Sequence, residues 1–278
     1  MNLPPESAEP PLPAGWACPV EPGAPVVAMA VPVGTARPVQ HMPMRMSAWR
    51  ALLELILVAL GGAGGLVITA AGSVFWRPAD DRWLTLATSG GAGLFALATC
   101  LLLLRLAGHR PRTIGWRFDR AWADVGIGLA SLVVADVLLV LVVVSLTVAW
   151  PGLLEDPYAS QRAVRETLPA MTWPQIVLVM LGVVIWEEVV FRGFLLTRLR
   201  ALTGRWWAAV PLSAVLFGLA HGYQGPLAVV MIAVLGTVLA LLAVWRRSLL
   251  PGMTLHLVNN LMFMALLRLQ ESLEHSSS

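Results

Sequence analysis

Apolar residues in this chain neither alternate nor recur every third or fourth position; they run on uninterrupted. Seven runs stand out: Ala51–Trp76, Leu84–Leu104, Val125–Ala149, Pro174–Leu196, Trp206–His221, Gly225–Trp245 and Leu249–Leu267. A run of about 18 or more apolar residues reads as a helix long enough to cross a bilayer. Trp206–His221, at 16 residues, needs flanking residues or a thinned membrane to do so. Glycine and alanine crowd several runs, as in Gly61-Gly62-Ala63-Gly64-Gly65 and Gly90-Gly91-Ala92-Gly93, and such small residues let membrane helices approach closely. Tryptophans sit at run ends (Trp49, Trp76, Trp83, Trp150, Trp173, Trp206, Trp207, Trp245), where an indole bridges acyl chain and water. The pattern predicts an all-α, polytopic membrane bundle of about seven to eight transmembrane helices. The eighth candidate is a short surface or embedded helix between Gly152 and Met171.

The segments between the runs divide the chain. Residues 1–47 hold 11 of the 20 prolines and no sustained apolar run, which predicts a disordered cytoplasmic tail. It is not read as a signal peptide, because no basic start leads directly into an apolar core. Three spans follow in 48–150, an external segment in 151–172, a second membrane core in 173–268 and a C-terminal tail in 269–278. No piece outside the runs is large enough for a folded soluble domain, so the chemistry is expected in the spans.

Composition sharpens this picture. Hydrophobic residues make up 58% and charged residues 13% of the 278, which excludes a water-soluble globular protein and a wholly disordered one. The net charge is +3 and every basic residue is arginine. These arginines are scattered between apolar runs, which points to membrane orientation and away from nucleic acid. With a cytoplasmic N-terminus and seven crossings, 13 arginines fall inside, among them Arg105, Arg110, Arg112, Arg117, Arg120, Arg198 and Arg200, against 5 outside. The expectation is an integral protein of the plasma (inner) membrane with its N-terminus in the cytoplasm. Cys18 and Cys100 offer neither a disulfide framework nor a cysteine metal site.

Ionisable groups inside a span cost about 2.5–3.5 kcal/mol each on insertion scales, so each needs a reason. Glu54, one turn from the start of its span, is expected to snorkel to the surface. Asp136, alone in mid-span, reads as structural. The others gather in the last 100 residues: Glu187, Glu188, Arg192, His221 and His256. On a helix Glu188 and Arg192, four apart, share a face and can pair. Glu187 is turned about 100° away and stays available as a general base. Phe217 shares a face with His221, and His256 with Asn260, Asn259 lying close by. Taken singly, each stripe reads as helix–helix glue. Taken together, three spans supply glutamate, two histidines and asparagine, the parts of a metal site or of a metal-free hydrolase. Depth counting strains this convergence. At 1.5 Å per residue, Glu187 lies about 15 Å, His256 about 10 Å and His221 about 22 Å from the cytoplasmic side.

Glu187-Glu188-Val-Val-Phe-Arg192, Phe217-Gly-Leu-Ala-His221 and His256-Leu-Val-Asn-Asn260, in this order on successive membrane helices, resemble the CPBP intramembrane proteases. That family includes the CAAX prenyl endopeptidases and relatives linked to bacteriocin self-immunity. The resemblance covers roughly Trp173 to Leu267. It implies an intramembrane endopeptidase acting on a membrane protein or a lipidated, CAAX-like peptide, with no nucleic-acid partner. Glu187 would activate the hydrolytic water beside His221. His256 and Asn260 would stabilise the oxyanion or bind metal. Glu188 and Arg192 would hold the helix, with Phe217 packed beneath. The resemblance leaves two mechanisms open: a divalent metal such as zinc on Glu187, His221 and His256, or a glutamate mechanism without metal. The rival readings are a transporter with a proton relay through Glu187, His221 and Asp136, and a non-enzymatic scaffold derived from the family. A transporter predicts two similar halves with matching broken helices, and no such repeat is visible.

Overall fold

The computed structural model describes residues 46–276, apart from Trp76, Arg77, Ala79, Pro151, Leu153, Leu154, Glu155, Pro157 and the side chain of His275. The tail expected to be disordered therefore lies almost wholly outside the described residues. The described chain is helical throughout: α1 (Ala48–Gly72), α2 (Asp81–Leu106), α3 (Ala121–Ala149), α4 (Ala159–Thr167), α5 (Trp173–Glu187), α6 (Leu196–Thr203), α7 (Trp206–Ala220), α8 (Pro226–Arg246) and α9 (Leu250–Ser276). A π-helical segment, Glu188–Leu195, joins α5 to α6 without a break. Five helices (α1, α2, α3, α8 and α9) are long and apolar enough to cross a membrane, and α7 is a shorter apolar helix, as its 16-residue run suggests. The chain is an integral membrane bundle, with many of its exposed side chains apolar, such as Val133, Val140 and Val144 on α3. α4 supplies the short helix expected between Gly152 and Met171.

The helix ends follow from local sequence. The Ser47 hydroxyl accepts from Arg50 N at 3.3 Å to start α1, and the Asp80 carboxylate accepts from Arg82 N at 2.9 Å to start α2. Thr172 and Gln175 form a capping box ahead of α5, satisfying amides that have no partner within the helix. Gly204 stops α6 at φ +71°, a left-handed turn that costs glycine nothing.

Small residues set the spacing between helices. A Cβ on Gly65 would lie 2.6 Å from the Phe95 side chain, pinning α1 to α2. One on Gly128 would lie 2.5 Å from Pro251 O, where α3 crosses α9, and one on Gly218 2.5 Å from Val229 O, where α7 meets α8. Backbones at such distances tolerate only glycine.

Two expectations are corrected. Glu54 does not snorkel: it is buried, and its Oε2 accepts from Arg198 Nη2 at 2.8 Å and Nε at 3.0 Å. Its Oε1 accepts from Arg50 Nε at 2.9 Å. Nor is Arg198 in a cytoplasmic loop. The helix expected to end at Leu196 continues to Thr203 and carries Arg198 fully into the interior, its guanidinium 3.5 Å from the Phe194 ring centre. A second buried pair, Asp124–Arg246 at 2.9 Å, ties α3 to α8. Asp136 is half-buried and makes no hydrogen bond or ion pair among the described residues. α9 likewise runs past its expected end at Leu267.

Removing one partner of a buried pair leaves the other charge uncompensated, at about 3–5 kcal/mol. Glu54→Ala is expected to lower the melting temperature in detergent sharply, and Glu54→Ala/Arg198→Met to recover part of the loss. Unchanged melting of Glu54→Ala would show that the pair adds nothing to stability.

Candidate active site

The longer rod reconciles the depths of Glu187 and His221. Glu187 lies 16 residues before the end of α6, and His221 lies 15 residues after the start of α7. The hairpin therefore returns His221 to the level of Glu187. The Glu187 side chain, buried between helices, has Oε1 3.9 Å from His221 Nε2 and Oε2 3.6 Å from His256 Nε2. One carboxylate thus faces an imidazole from each of two other helices.

Each imidazole is held from behind. His221, the residue that caps α7, has Nδ1 2.9 Å from Phe217 O. A carbonyl only accepts, so Nδ1 donates and Nε2 is the nitrogen left facing Glu187. His256 has Nδ1 2.9 Å from Glu188 Oε1, and its Nε2 likewise faces Glu187. Glu188 is fully buried and also pairs with Arg192, Oε1 to Nη1 at 3.0 Å. Arg192 lies with its guanidinium carbon 3.9 Å from the Phe217 ring centre, where the ring face attracts a cation. Phe217 also meets both imidazoles in T-shaped contacts, at ring-centre distances of 4.9 Å to His221 and 5.8 Å to His256. Phe217 packs beneath the site, as the motif implies.

The two adjacent glutamates are divided as their spacing predicts, but the helix between them and Arg192 is π rather than α. Such a turn holds one residue more, and π-turns concentrate at functional sites. Glycines make room for the buried pair: a Cβ on Gly252 would lie 3.1 Å from Glu188 Oε2, and one on Gly236 3.4 Å from Arg192 Nη2. Within the described residues no protein group hydrogen-bonds Glu187 Oε2, so that oxygen keeps its capacity to accept.

The structure brings together Glu187, Glu188, Arg192, Phe217, His221 and His256. Asn260 lies one turn beyond His256 on the same face of α9, half-buried, and makes no hydrogen bond to the others among the described residues. The Glu188–His256 contact joins residues 68 apart in sequence and leaves no signal in any single motif. Tyr223 also went unread: its ring stacks on His221 at 6.4 Å and 24°. Two imidazoles and a carboxylate are zinc-type donors. Among the described residues, however, no three His, Cys, Asp or Glu side chains stand at the mutual spacing of a preformed metal site.

Residues 169–262 match the family model described as Rce1-like, type II CAAX prenyl endopeptidase. This stretch holds α5 to α8 and the first half of α9, with every residue of the three motifs, and bears out the resemblance over that third of the chain. No curated protein and no solved structure matches the chain.

Glu188→Ala is expected to strand Arg192 and free the His256 ring together, costing about 3–5 kcal/mol. Arg192→Ala should cost a similar amount. The double substitution should cost clearly less than the two singles added, because each single leaves an unpaired buried charge. Chemical denaturation in detergent measures all three, and strict additivity would show that the pair is not coupled.

Proposed function

We propose that this protein is an intramembrane endopeptidase and that Glu187 is its general base. The observation carrying this is the approach of two imidazole Nε2 atoms, at 3.9 and 3.6 Å, to one buried carboxylate with accepting capacity unspent. Glu187 takes a proton from a water held beside His221 Nε2, and the water oxygen attacks the carbonyl carbon of the scissile bond. The proton then passes to the departing nitrogen as the carbon–nitrogen bond breaks, leaving a carboxylic acid and an amine. When His256 carries protons on both nitrogens, Glu188 holds Nδ1–H and Nε2–H is left to donate to the oxyanion. Asn260, on the same face, supplies a second donor. Glu188, Arg192 and Phe217 are positioning residues.

The family match supports a protease on membrane-associated substrates. The substrate class we propose is a membrane protein or lipidated, CAAX-like peptide, and the location the plasma (inner) membrane with a cytoplasmic N-terminus. A second reading, favoured by both Nε2 atoms facing one carboxylate, has Glu187, His221 and His256 close on a divalent metal such as zinc, which would supply Lewis-acid activation of water. The proton-relay alternative gains nothing from Asp136, which has no polar partner among the described residues.

Glu187→Gln keeps shape and removes the base. Cleavage of membrane peptides, followed by proteomics against wild type, is expected to fall by about 10²- to 10⁴-fold, with the melting temperature unchanged. Normal cleavage by Glu187→Gln would overturn the assignment. Loss of wild-type activity to a chelator, restored by zinc, would select the metal reading; chelator-resistant activity selects the metal-free one.

A further inference from the structure

Outside the motif core, the connection between α2 and α3 has the highest density of positive charge. Arg105, Arg110, Arg112, Arg117 and Arg120 fall within 16 residues. A cavity of about 640 Å³ opens here, lined by Arg110, Arg112, Trp116, Arg117, Phe118 and Asp119 among others. The loop is built, not slack. A 3₁₀ turn, Pro111–Ile114, ends at Gly115 with φ +92°, and Gly115 O accepts from Leu249 N at 2.9 Å, tying the loop to the start of α9.

The charge lining this cavity is not balanced. Its one carboxylate among the lining residues, Asp119, takes Arg117 in two bonds of 2.9 and 2.6 Å. Those bonds hold the Asp119 carboxyl down at about 2, so it stays ionised and committed to Arg117 at neutral pH. Arg110 and Arg112 are exposed and make no hydrogen bond or ion pair to a carboxylate among the described residues, Arg112 acting on Asp119 only through its charge. Around these two guanidinium groups the wall is aromatic: Trp116 and Phe118 meet edge to face with centres 5.6 Å apart. Phe118 in that wall is 54% exposed, and Leu106 and Trp122, which flank the loop in sequence, are 74% and 91% exposed. Guanidinium groups with no hydrogen-bonded carboxylate, over a cavity with an exposed aromatic in its wall, suit a ligand that is anionic at one end and apolar at the other.

We propose that this cavity binds a phosphate-bearing anionic headgroup. Arg110 and Arg112 would donate to its phosphate oxygens, and the exposed Phe118 would lie along its acyl chains. The same phosphate chemistry is available from a phospholipid or from a soluble phosphate ester.

The test uses delipidated full-length protein in detergent, with bound lipid counted by native mass spectrometry. Phosphatidylglycerol is expected to bind at least tenfold more tightly than phosphatidylcholine. Arg110→Gln/Arg112→Gln is expected to weaken it about fivefold per arginine. Arg105→Gln/Arg120→Gln, which removes the same charge outside the cavity lining, should leave affinity within about twofold. Glycerol 3-phosphate that displaces the lipid at millimolar concentration identifies a phosphate site open to soluble esters. Failure to displace it identifies a lipid site; either result supports the proposal. Equal affinity for the two lipids, or equal losses in the two double variants, would overturn it. If Arg110→Gln/Arg112→Gln melts early, the single variants Arg110→Gln and Arg112→Gln replace it, and an unchanged affinity for phosphatidylglycerol in both would also overturn the proposal.

Discussion

A charge taken out of water into an apolar bundle must be matched or it destabilises the fold. The Glu188–Arg192 pair is where this constraint bears hardest. Both side chains are essentially inaccessible, and the same Glu188 oxygen faces the His256 ring. One carboxylate thus balances a guanidinium on its own helix and orients an imidazole on another. With Glu188 so committed, Glu187, one position earlier, is left for a different task. The glycines at 236 and 252, the aromatic face of Phe217 and the widened π-turn all accommodate that pair.

The rest of the bundle brings the partners into range. Gly218 lets α7 lie against α8, and Gly128 lets α3 lie against α9. The buried Glu54–Arg198 pair fixes the lower part of the α5–α6 rod to α1. The geometry of the site therefore rests in part on contacts outside the three motifs, those of Gly128 and of the Glu54–Arg198 pair.

The class of fold was legible because membrane helices announce themselves by length and apolar composition. The core of the site was legible because each motif lies within one helix, where spacing reports a shared face. What the sequence hid was of several kinds. Contacts between helices, such as Glu188 with His256, have no local periodicity to betray them. Arginines near the end of an apolar run look like loop residues; Arg198 is buried only because Glu54, 144 positions earlier, is there to receive it. The π-turn hid for a further reason: a pair four residues apart stays close in either kind of helix, so Glu188 and Arg192 gave no sign of it. Asn260 was placed on the right face by its spacing, but spacing does not report a hydrogen bond.

The π-turn also sets a phase relation. It lies between Glu187, which must face the two imidazoles, and Arg198, which must face Glu54. The extra residue it contains advances one end of the rod relative to the other by about 100° compared with an uninterrupted α-helix. A single-residue deletion between 188 and 195 would let the turn relax to α-helix with better hydrogen bonding. Such a deletion would keep the rotational register of the two ends, whereas relaxation of the full-length segment to α-helix would turn them by about 100° and break one of the two contacts. The irregular turn is thus a gear between the anchoring Glu54–Arg198 pair and the Glu187 carboxylate, setting the phase in which each meets its partners.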